Sequence, residues 1–409
     1  PFATFSMNNF RGYGMRYRTT ATEQDPSGRK PVCLVRNGFY PDDPRSEKEA
    51  LALVEAGYPV DVICLRGKNQ PVYDESGGLR LYRLPIQHKR TSVWRYFFQY
   101  SLSFLLFSVL LTYLHVRRRY RCIHVATMPD FLVFTTLLPR LLGAKVLLDL
   151  HEPTPELWVT KFGDQLRPLL KLQTRIEQSA IGYANATITV TDELRERVIE
   201  RGARGEKVSI VRNVCDETMF GPMPPREPAR NDQGLRLITH GLIEARYGHE
   251  EMLRAVALVR DRIPGLHLQI PGAGEHAPRL VELAKELYCL DIVDFAGFVS
   301  REELLRRLHG ADAGIIAMRR SPYSELIDTN KMYEYMVLRK PIIISRLPPV
   351  ARKFDDTCVK FFEPGDHEGL ARCILELYQD PQRGRSLAEN AYARYESMRW
   401  EHGKQDYLK

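Results

Sequence analysis

Short apolar runs that alternate with helical stretches are the feature that most constrains the fold of this chain. The run VCLV (32–35) is followed by a periodic stretch at 47–56 and by VDVICL (60–65). Short aliphatic runs are typical of buried strands, and apolar positions three or four residues apart indicate a helix. The same rhythm returns further on, in CIHVAT (122–127), KVLLDL (145–150), ATITVT (186–191) and KVSIVRN (207–213). The alternation predicts a parallel sheet covered by helices on both faces.

A second series of the same kind follows a break in composition at 219–236, where proline, glycine and charge replace the apolar periodicity. It begins with RLITHG (236–241) and a helix at 249–262, and continues through LHLQIPG, IVDFAG, GADAGIIAM and PIIIS. Such a break between two patterns is typical of a linker. We therefore predict two doubly wound α/β domains, with ligands bound beyond the carboxyl ends of the strands in a cleft between the domains.

The predicted domain limits follow from these patterns and from the length of 409 residues, which suits two to three domains. Residues 1–30 lack the apolar run of a signal peptide and are expected to be a loosely ordered tail. The remaining segments are an N-terminal domain at 31–218, a linker at 219–234, a C-terminal domain at 235–388, and a C-terminal helix at 389–409 that crosses back to the N-terminal domain.

Composition and charge exclude several classes of protein. With 44% hydrophobic and 27% charged residues, the chain matches a soluble globular protein and not a collagen, a coiled coil or a disordered chain. Its seven scattered cysteines form no C-x-x-C pair, so we expect a reducing, cytosolic compartment. The net charge of +8 favours anionic ligands. The sequence has no stripe of basic residues interleaved with aromatic ones, which a nucleic-acid partner would require. A non-catalytic basic binding protein is therefore a weak alternative.

The segment DTNKMYE (328–334) has the features of an anion site. Asp328, Thr329 and Asn330 are all candidate N-caps, and free N–H groups at a helix start bind phosphate oxygens. Lys331 adds a positive charge, and Glu334 lies on the same helix face because the two residues are three positions apart. A ribose could lie between them. The alternative is an ordinary surface salt bridge.

The segment THGLIEARYGHEE (239–251) follows a predicted strand and suits a diphosphate. Gly241 and Gly248 bracket Arg246, so that the backbone approaches a ligand closely while the guanidinium binds diphosphate oxygens. The alternative is that Arg246 is one more solvated charge.

Several segments in one linear order resemble the retaining glycosyltransferases of family 4, also called glycosyl transferases group 1, which have the GT-B fold of two Rossmann-like domains. The resemblance covers roughly residues 31–409 and rests on LLDLHEPTPELW (147–158), THGLIEARYGHEEMLRAVALV, IPGAGEHAPRLVELA, VDFAGFVSREELLRRL and TNKMYEYMVLRKPIIIS. It implies retaining transfer from a nucleotide sugar to a sugar or lipid-linked acceptor hydroxyl, in surface polysaccharide or glycolipid biosynthesis. It implies no cofactor beyond this donor substrate.

The resemblance also implies roles for single residues. Glu334 would hold the ribose hydroxyls, and His151 would contact the donor sugar near the reacting carbon. The catalytic candidates are His151, Arg246 and Lys331, and the substrate-binding candidates are Glu334, Asn330, Thr329, Gly241, Arg45 and Glu325.

Two departures from the family pattern change these expectations. Leu242 and Tyr247 stand where the family usually has an arginine and a lysine, so Arg246 acts largely alone with Lys331. Leu326 stands at the first glutamate of the family's E-x7-E motif, which leaves Glu325 or Asp328 as the substitute.

The turn NGFYPDDPR (37–45) and the segment after KVLLDL hold the candidates of the N-terminal domain. Arg45 is the candidate anion ligand, while Asp43 and Pro44 are start signals of a helix, and the two interpretations are compatible. Asp149 and Glu152 flank His151 and either meet an acceptor hydroxyl or, for Asp149, cap the following turn.

Two rival enzymes remain open. PGAGEHA (271–277), followed by Asp294, satisfies the G-x-G-x-x-A fingerprint of an NAD-dependent oxidoreductase. A non-hydrolysing sugar-nucleotide epimerase shares the two-domain architecture and needs no acceptor. No D-x-D pair is present, so we expect no obligatory metal, and no P-loop motif is present either.

The stretch YFFQYSLSFLLFSVLLTYL (96–114) carries no charge and is flanked by arginines on both sides. Its length permits a membrane span, but it lies between two predicted strands of one sheet, which disfavours spanning. The alternatives are a fully buried crossover helix and contact with an anionic membrane surface, which the basic flanks favour. We expect a cytoplasmic protein, with attachment to the inner face of the cell membrane as the open question.

Overall fold

The computed structural model describes residues 28–41, 43–86, 93–163, 167–220 and 234–409, and the chain forms two compact units. The first unit contains the residues up to Arg212 together with Gly403–Lys409, and the second runs from Asn213 to His402. Most of the tail predicted at 1–30 and most of the linker predicted at 219–234 lie outside the described residues.

Among the described residues, the first unit contains eight strands and six helices. The strands are β1 (Val32–Phe39), β2 (Val60–Leu65), β3 (Tyr73–Ser76), β4 (Leu79–Leu84), β5 (Cys122–Ala126), β6 (Lys145–Leu150), β7 (Ala186–Thr189) and β8 (Val208–Ile210). The helices are α1 (Pro44–Glu55), α2 (Val93–Arg118), α3 (Leu137–Leu141), α4 (Thr154–Phe162), α5 (Arg167–Tyr183) and α6 (Asp192–Glu200). The strand order is β3-β4-β2-β1-β5-β6-β7-β8, in which β3 and β4 are the antiparallel pair.

Helix α1 shows how the sequence starts an element beside the site of this unit. Asp43 is its N-cap, since the carboxylate accepts hydrogen bonds from the backbone N–H groups of Arg45 and Ser46, and Pro44 fills the first turn. The predicted helix start is confirmed. Buried side chains of α1, such as Ala50 and Leu53, pack on β1 and β2.

In the part of the chain that the structure describes, the second unit contains seven strands and seven further helices. The strands are β9 (Arg236–Ile238), β10 (Gly241–Leu242), β11 (His267–Ala273), β12 (Val293–Gly297), β13 (Ala313–Ile316), β14 (Ile342–Ser345) and β15 (Lys360–Phe362). The helices are α7 (His249–Val259), α8 (Ala277–Glu286), α9 (Arg301–Gly310), α10 (Asn330–Val337), α11 (Pro348–Ala351), α12 (His367–Gln379) and α13 (Pro381–Glu396). A last helix, α14 (Trp400–Leu408), ends in the first unit.

Both sheets reverse their strand order at one point. In the first unit the chain builds outward from β1 and then returns to place β5 beside it, and in the second unit β13 is placed beside β9 in the same way. All pairings in the second unit are parallel. Ligands of open α/β sheets bind beyond the carboxyl ends of the strands at such reversal points. The predicted fold class of two Rossmann-like α/β domains is confirmed.

Two predicted elements differ in detail. The predicted helix at 389–409 is two helices, because α13 ends at Glu396 and a turn separates it from α14, whose Trp400 side chain is buried. Helix α2 is not a fully buried crossover, since Leu105, Val109 and Val116 on it are more than half exposed. Within the described part of the chain, one helix, Gln99–Arg118, is long and apolar enough to span a membrane by length and composition.

Candidate functional site

In the second unit, the loop after β9 and the first turn of α10 lie together. A Cβ added at Gly241 would stand 3.3 Å from Lys331 Cε, so the glycine backbone lies directly against the lysine side chain. Helix α10 packs against β13, which neighbours β9 in the sheet. This brings together Gly241, Arg246, Lys331 and Glu334 at the reversal point of the sheet.

Glu334 has a partner that the sequence analysis missed. His240 Nε2 lies 3.0 Å from Glu334 Oε2, and the Glu334 side chain keeps 22% of its surface exposed. Burial alone would raise the pKa of Glu334, but the neighbouring His240 and Lys331 hold it below its ordinary value. The carboxylate therefore stays ionised and can accept hydrogen bonds from vicinal hydroxyls.

The pKa of Lys331 is shifted from its ordinary value. Desolvation lowers its pKa to about 8, with the charge of Glu334 opposing this shift and that of Arg246 adding to it. Its Nζ stands 4.5 Å from the centre of the Tyr247 ring. The aromatic face thus supports the ammonium group without neutralising it.

Arg246 is held by one carboxylate and two aromatic rings. Its Nη2 lies 2.9 Å from Glu244 Oε2, and its guanidinium carbon stands 5.0 Å from the ring centres of Tyr247 and Tyr323. The side chain is only 13% exposed, and its Nε and Nη1 atoms have no hydrogen-bond partner among the described residues. Two N–H groups of a nearly buried guanidinium therefore lack a hydrogen-bond acceptor, which an anionic ligand could supply.

One of the three predicted N-cap residues occupies the N-cap position of α10. Thr329 occupies the N-cap position, although its side chain makes no capping hydrogen bond, and Asn330 is the first helical residue. Asp328 is instead bound by Lys353 and by the Tyr333 hydroxyl, at 2.6 Å for the latter. Asp328 therefore ties the loop to the body of the unit.

Neither candidate for the first glutamate of the E-x7-E motif contacts the cluster around Glu334. Glu325 pairs with Arg320 at 3.3 Å, and Asp328 is engaged as described above. Leu326, at the motif position itself, is buried.

Glycines fix the shape of the Arg246 loop and account for the NAD-like motif. Gly248 has φ of 65°, and a Cβ there would approach the Ala317 carbonyl oxygen to 1.8 Å. A Cβ at Gly272 or Gly274 would come within 2.0 Å of the carbonyl oxygen of Gly241 or Ile243. The G-x-G glycines therefore admit the protein's own backbone at this point. Asp294, the acidic residue of that motif, is paired with Arg307.

In the first unit, Asp149 at the end of β6 is the centre of a buried charge network. Arg45 forks onto it, with Nη2···Oδ1 at 2.8 Å and Nε···Oδ2 at 3.0 Å, and donates from Nη1 to the Val211 carbonyl. Burial would raise the pKa of Asp149, but Arg45 and His151 hold it well below its ordinary value. Arg45, predicted as an anion ligand, is buried and already engaged inside the protein.

His151 is the part of this network that reaches the surface. Its Nε2 lies 2.6 Å from Asp149 Oδ2 and its Nδ1 lies 3.7 Å from Asp43 Oδ2, while the side chain is 12% exposed. Burial would raise the pKa of Asp43, but His151 and Arg36 hold it below its ordinary value. Two carboxylates therefore fix the orientation of the imidazole at the carboxyl edge of the sheet.

Behind His151 lie three further groups that the sequence analysis missed. His124 stands 3.4 Å from Asp149, 3.8 Å from Glu49 and 2.9 Å from the Tyr407 hydroxyl of α14. Burial raises the pKa of Glu49 well above its ordinary value and lowers that of His124. Burial thus disfavours the charged forms of both groups on the deep side of the network.

Glu49, Asp149 and His151 place donor atoms within 4.8 Å of one another, a spacing that a metal ion accepts. However, the Arg45 guanidinium binds Asp149 and lies 3.1 Å from Glu49, so a fixed cation already holds these carboxylates. The donor set fits an internal ion-pair network better than a metal centre.

Known proteins resemble the chain along most of its length. Residues 44–214 match the family described as glycosyl transferase 4-like domain, and residues 225–394 match glycosyl transferases group 1. A glycogen synthase of Mycobacterium tuberculosis is 23% identical over 228 residues, which are 54% of this chain and 52% of the relative. The chain thus aligns with about half the length of that curated relative.

Solved structures share the fold. Sucrose-phosphate synthase from Thermosynechococcus elongatus matches with a TM-score of 0.74 at 17% identity, covering 92% of this chain and 97% of that one. The Anabaena protein HepE in complex with UDP-glucose matches with a TM-score of 0.69 at 14% identity, covering 92% and 98%. The fold is therefore GT-B, and the two adjoining family matches show that the chain belongs to the group 1 glycosyltransferases.

Proposed function

We propose that the protein is a retaining glycosyltransferase that moves a sugar from a nucleoside diphosphate sugar to an acceptor hydroxyl. The observation that carries the proposal is the cluster of Arg246, Lys331 and Glu334 at the carboxyl edge of the second sheet. It combines a nearly buried guanidinium that has two unpartnered N–H groups, a lysine beside it, and an ionised carboxylate one helical turn from that lysine. Diphosphate oxygens suit the cations and ribose hydroxyls suit the carboxylate.

The chemistry asked of these groups is electrostatic. As the bond between the anomeric carbon and the diphosphate oxygen breaks, negative charge grows on the diphosphate, where Arg246 and Lys331 stabilise it. The acceptor oxygen bonds to the same carbon on the face that the diphosphate leaves, and its proton passes to a diphosphate oxygen. Backbone N–H groups at Thr329 and Asn330 add to the stabilisation.

His151 is the proposed catalytic group of the first unit. Asp149 and Asp43 orient its ring, so the imidazole can offer a fixed hydrogen bond to a sugar hydroxyl. Because Asp149 is buried and bound to Arg45, we assign it to positioning and not to acceptor contact.

The wider role is proposed from the relatives and from the charge of the chain. The glycogen synthase relative makes a polysaccharide by its name, and HepE was solved with UDP-glucose. These support a uridine nucleotide donor, a sugar or lipid-linked acceptor, and a part in polysaccharide or glycolipid biosynthesis. We propose metal-independent transfer in the cytoplasm or at the inner face of the cell membrane.

A nucleotide panel tests the proposal. We expect one of UDP, GDP, ADP or dTDP to raise the melting temperature, since a ligand that binds only the folded state stabilises it by mass action. NAD should give no shift. If none of the nucleoside diphosphates raises the melting temperature, the proposed function is contradicted.

The product distinguishes the transferase from an epimerase. With the preferred nucleotide sugar, we expect sugar consumption only when an acceptor is present, and NMR of the product should show the donor's anomeric configuration. Conversion of the donor to an epimeric nucleotide sugar without an acceptor would favour the epimerase, and inverted configuration would contradict retention.

A further inference from the structure

The exposed face formed by α2 and α3 takes no part in the sites described above. Along α2, five large apolar side chains point outward at intervals of three or four residues, which places them on one stripe. They are Leu102, Leu105, Val109, Tyr113 and Val116. The opposite face of the helix, with Phe107 and Leu111 fully buried, packs into the unit.

Helix α3 extends this stripe into a surface. Leu137, Leu138, Leu141 and Leu142 are all more than half exposed, with Leu141 at 75%. The two helices pack together, and the backbone of Leu142 lies against the His115 ring of α2. We call this continuous apolar surface the α2–α3 face. Single exposed apolar side chains are ordinary, whereas a contiguous patch marks a partner.

The charges around the α2–α3 face are almost all positive. Residues 93–148 contain one acidic residue, Asp130, which is buried and hydrogen bonded by Thr154 and Gln173. Four basic side chains in the same stretch are exposed and have no ion-pair partner among the residues that the structure describes. They are Arg117, Arg119, Arg121 and Lys145.

We propose that the α2–α3 face docks on an anionic lipid bilayer, with the leucines in the interface and the arginines and Lys145 on headgroup phosphates. Apolar area and cations together are what interfacial binding requires. The helix lies on the membrane and does not cross it, because Phe107 and Leu111 are needed in the core. This proposal stands without the transfer reaction; a lipid-linked acceptor beside the face would rest on the proposed function.

Vesicle flotation of the full chain tests the proposal. We expect binding to phosphatidylcholine vesicles containing phosphatidylglycerol at low salt, and little binding to pure phosphatidylcholine. The double variant Val109→Ser, Leu141→Ser should bind roughly tenfold more weakly, since it removes apolar area from the interface. The double variant Val72→Ser, Leu258→Ser removes equally exposed side chains elsewhere and should bind like the wild type.

The charges are tested in the same assay. Arg121→Gln with Lys145→Gln should weaken binding about 25-fold, at about fivefold per charge. The matched pair Arg254→Gln, Lys285→Gln changes exposed cations of the second unit that have no ion-pair partner there, and should have little effect.

Three outcomes would overturn the proposal. They are absence of binding to anionic vesicles, equal binding by the α2–α3 variants and their controls, and a wild-type dimer that the Val109→Ser, Leu141→Ser variant converts to a monomer without any vesicle binding. The last would assign the face to a second copy of the chain. The nucleotide melting shift of the same variants should equal that of the wild type, and its absence would count against the transferase and not against the docking face.

Discussion

The carboxyl edges of the two sheets hold opposite kinds of polar cluster. In the first unit, Arg45 is buried against Asp149 and Glu49, so its charge is satisfied within the protein. In the second unit, Arg246 pairs with Glu244 and rests on tyrosine rings, two of its N–H groups have no partner among the described residues, and Lys331 stands beside it. One edge uses its arginine to hold a histidine in place, and the other keeps its cations available.

The difference between Arg45 and Arg246 shows which surroundings leave a cation able to bind a ligand. Arg45 lies between two carboxylates, whereas Arg246 has one, Glu244, and two aromatic faces that support the guanidinium without neutralising it. Tyr247, which replaces a lysine of the family pattern, contacts both Arg246 and Lys331 in this way. Tyr247 therefore replaces a third positive charge with an aromatic ring that holds Arg246 and Lys331 in place.

The largest expected effect is a loss of stability when the buried ion-pair network around Asp149 is broken. Asp149→Asn leaves the Arg45 guanidinium buried without its main counter-charge, and breaking a buried pair costs about 3–5 kcal/mol of unfolding free energy. Denaturant titration measures it. The contribution should be present above the ordinary aspartate pKa of about 3.9 and be lost toward acid, because the pKa of Asp149 is lowered in the folded state.

The matched control is Asp312→Asn. This aspartate pairs with Arg236 at 3.3 Å in the second unit, but both side chains are well exposed. Exposed pairs contribute about 0–1 kcal/mol, so the control should be close to the wild type. Equal losses in the two variants would contradict the account of Asp149 as the centre of a buried network.

The second effect comes from removing an available cation. Arg246→Gln should lower kcat/KM about 100-fold or more, as loss of one group that stabilises developing charge does elsewhere. The nucleotide melting shift should shrink as well. Arg254→Gln, at an exposed position of α7, is the control and should retain full activity. A fully active, folded Arg246→Gln protein would remove this residue from the site.

The sequence predicted the two sheets better than it predicted either cluster. Strands such as β2 and β14 are short aliphatic runs that are buried on both faces, so their pattern depends on local residues alone. The pairing of His240 with Glu334 depends on two segments far apart in sequence that meet at the sheet edge. His240 follows a predicted strand directly, which is the one signal that could have found it.

Arg45 shows why the rest could not be predicted. Its position after the first strand suits an anion ligand, and only the burial of Asp149 beside it decides that the guanidinium is used internally. The hairpin of β3 and β4 and the short strand β15 were missed as well, since their runs are too short or too polar to stand out. The aromatic support of Arg246 by Tyr323 likewise joins residues from separate loops.

The third effect concerns the carboxylate of the open cluster. Glu334→Gln keeps the shape of the side chain but removes its charge, so hydrogen bonds worth about 1.5–3 kcal/mol to ribose hydroxyls are weakened. We expect nucleotide affinity to fall about tenfold, measured by calorimetry. Glu302→Gln, an exposed residue of α9, is the control. Unchanged affinity in Glu334→Gln would show that the ribose lies elsewhere.

The smallest effect is a pH dependence that belongs to the open cluster alone. Because desolvation lowers the pKa of Lys331 to about 8, the free protein carries this charge below that pH and loses it above. Affinity for a nucleoside diphosphate should therefore be constant from pH 7 to 8 and then fall, by at most about tenfold per pH unit for one linked proton. Lys331→Arg should abolish the fall, since a guanidinium stays charged throughout this range. Lys285→Arg, at an exposed site, should keep it. A wild-type affinity that is flat to pH 9.5, or a fall that persists in Lys331→Arg, would mean that Lys331 is not one of the cations that bind the diphosphate.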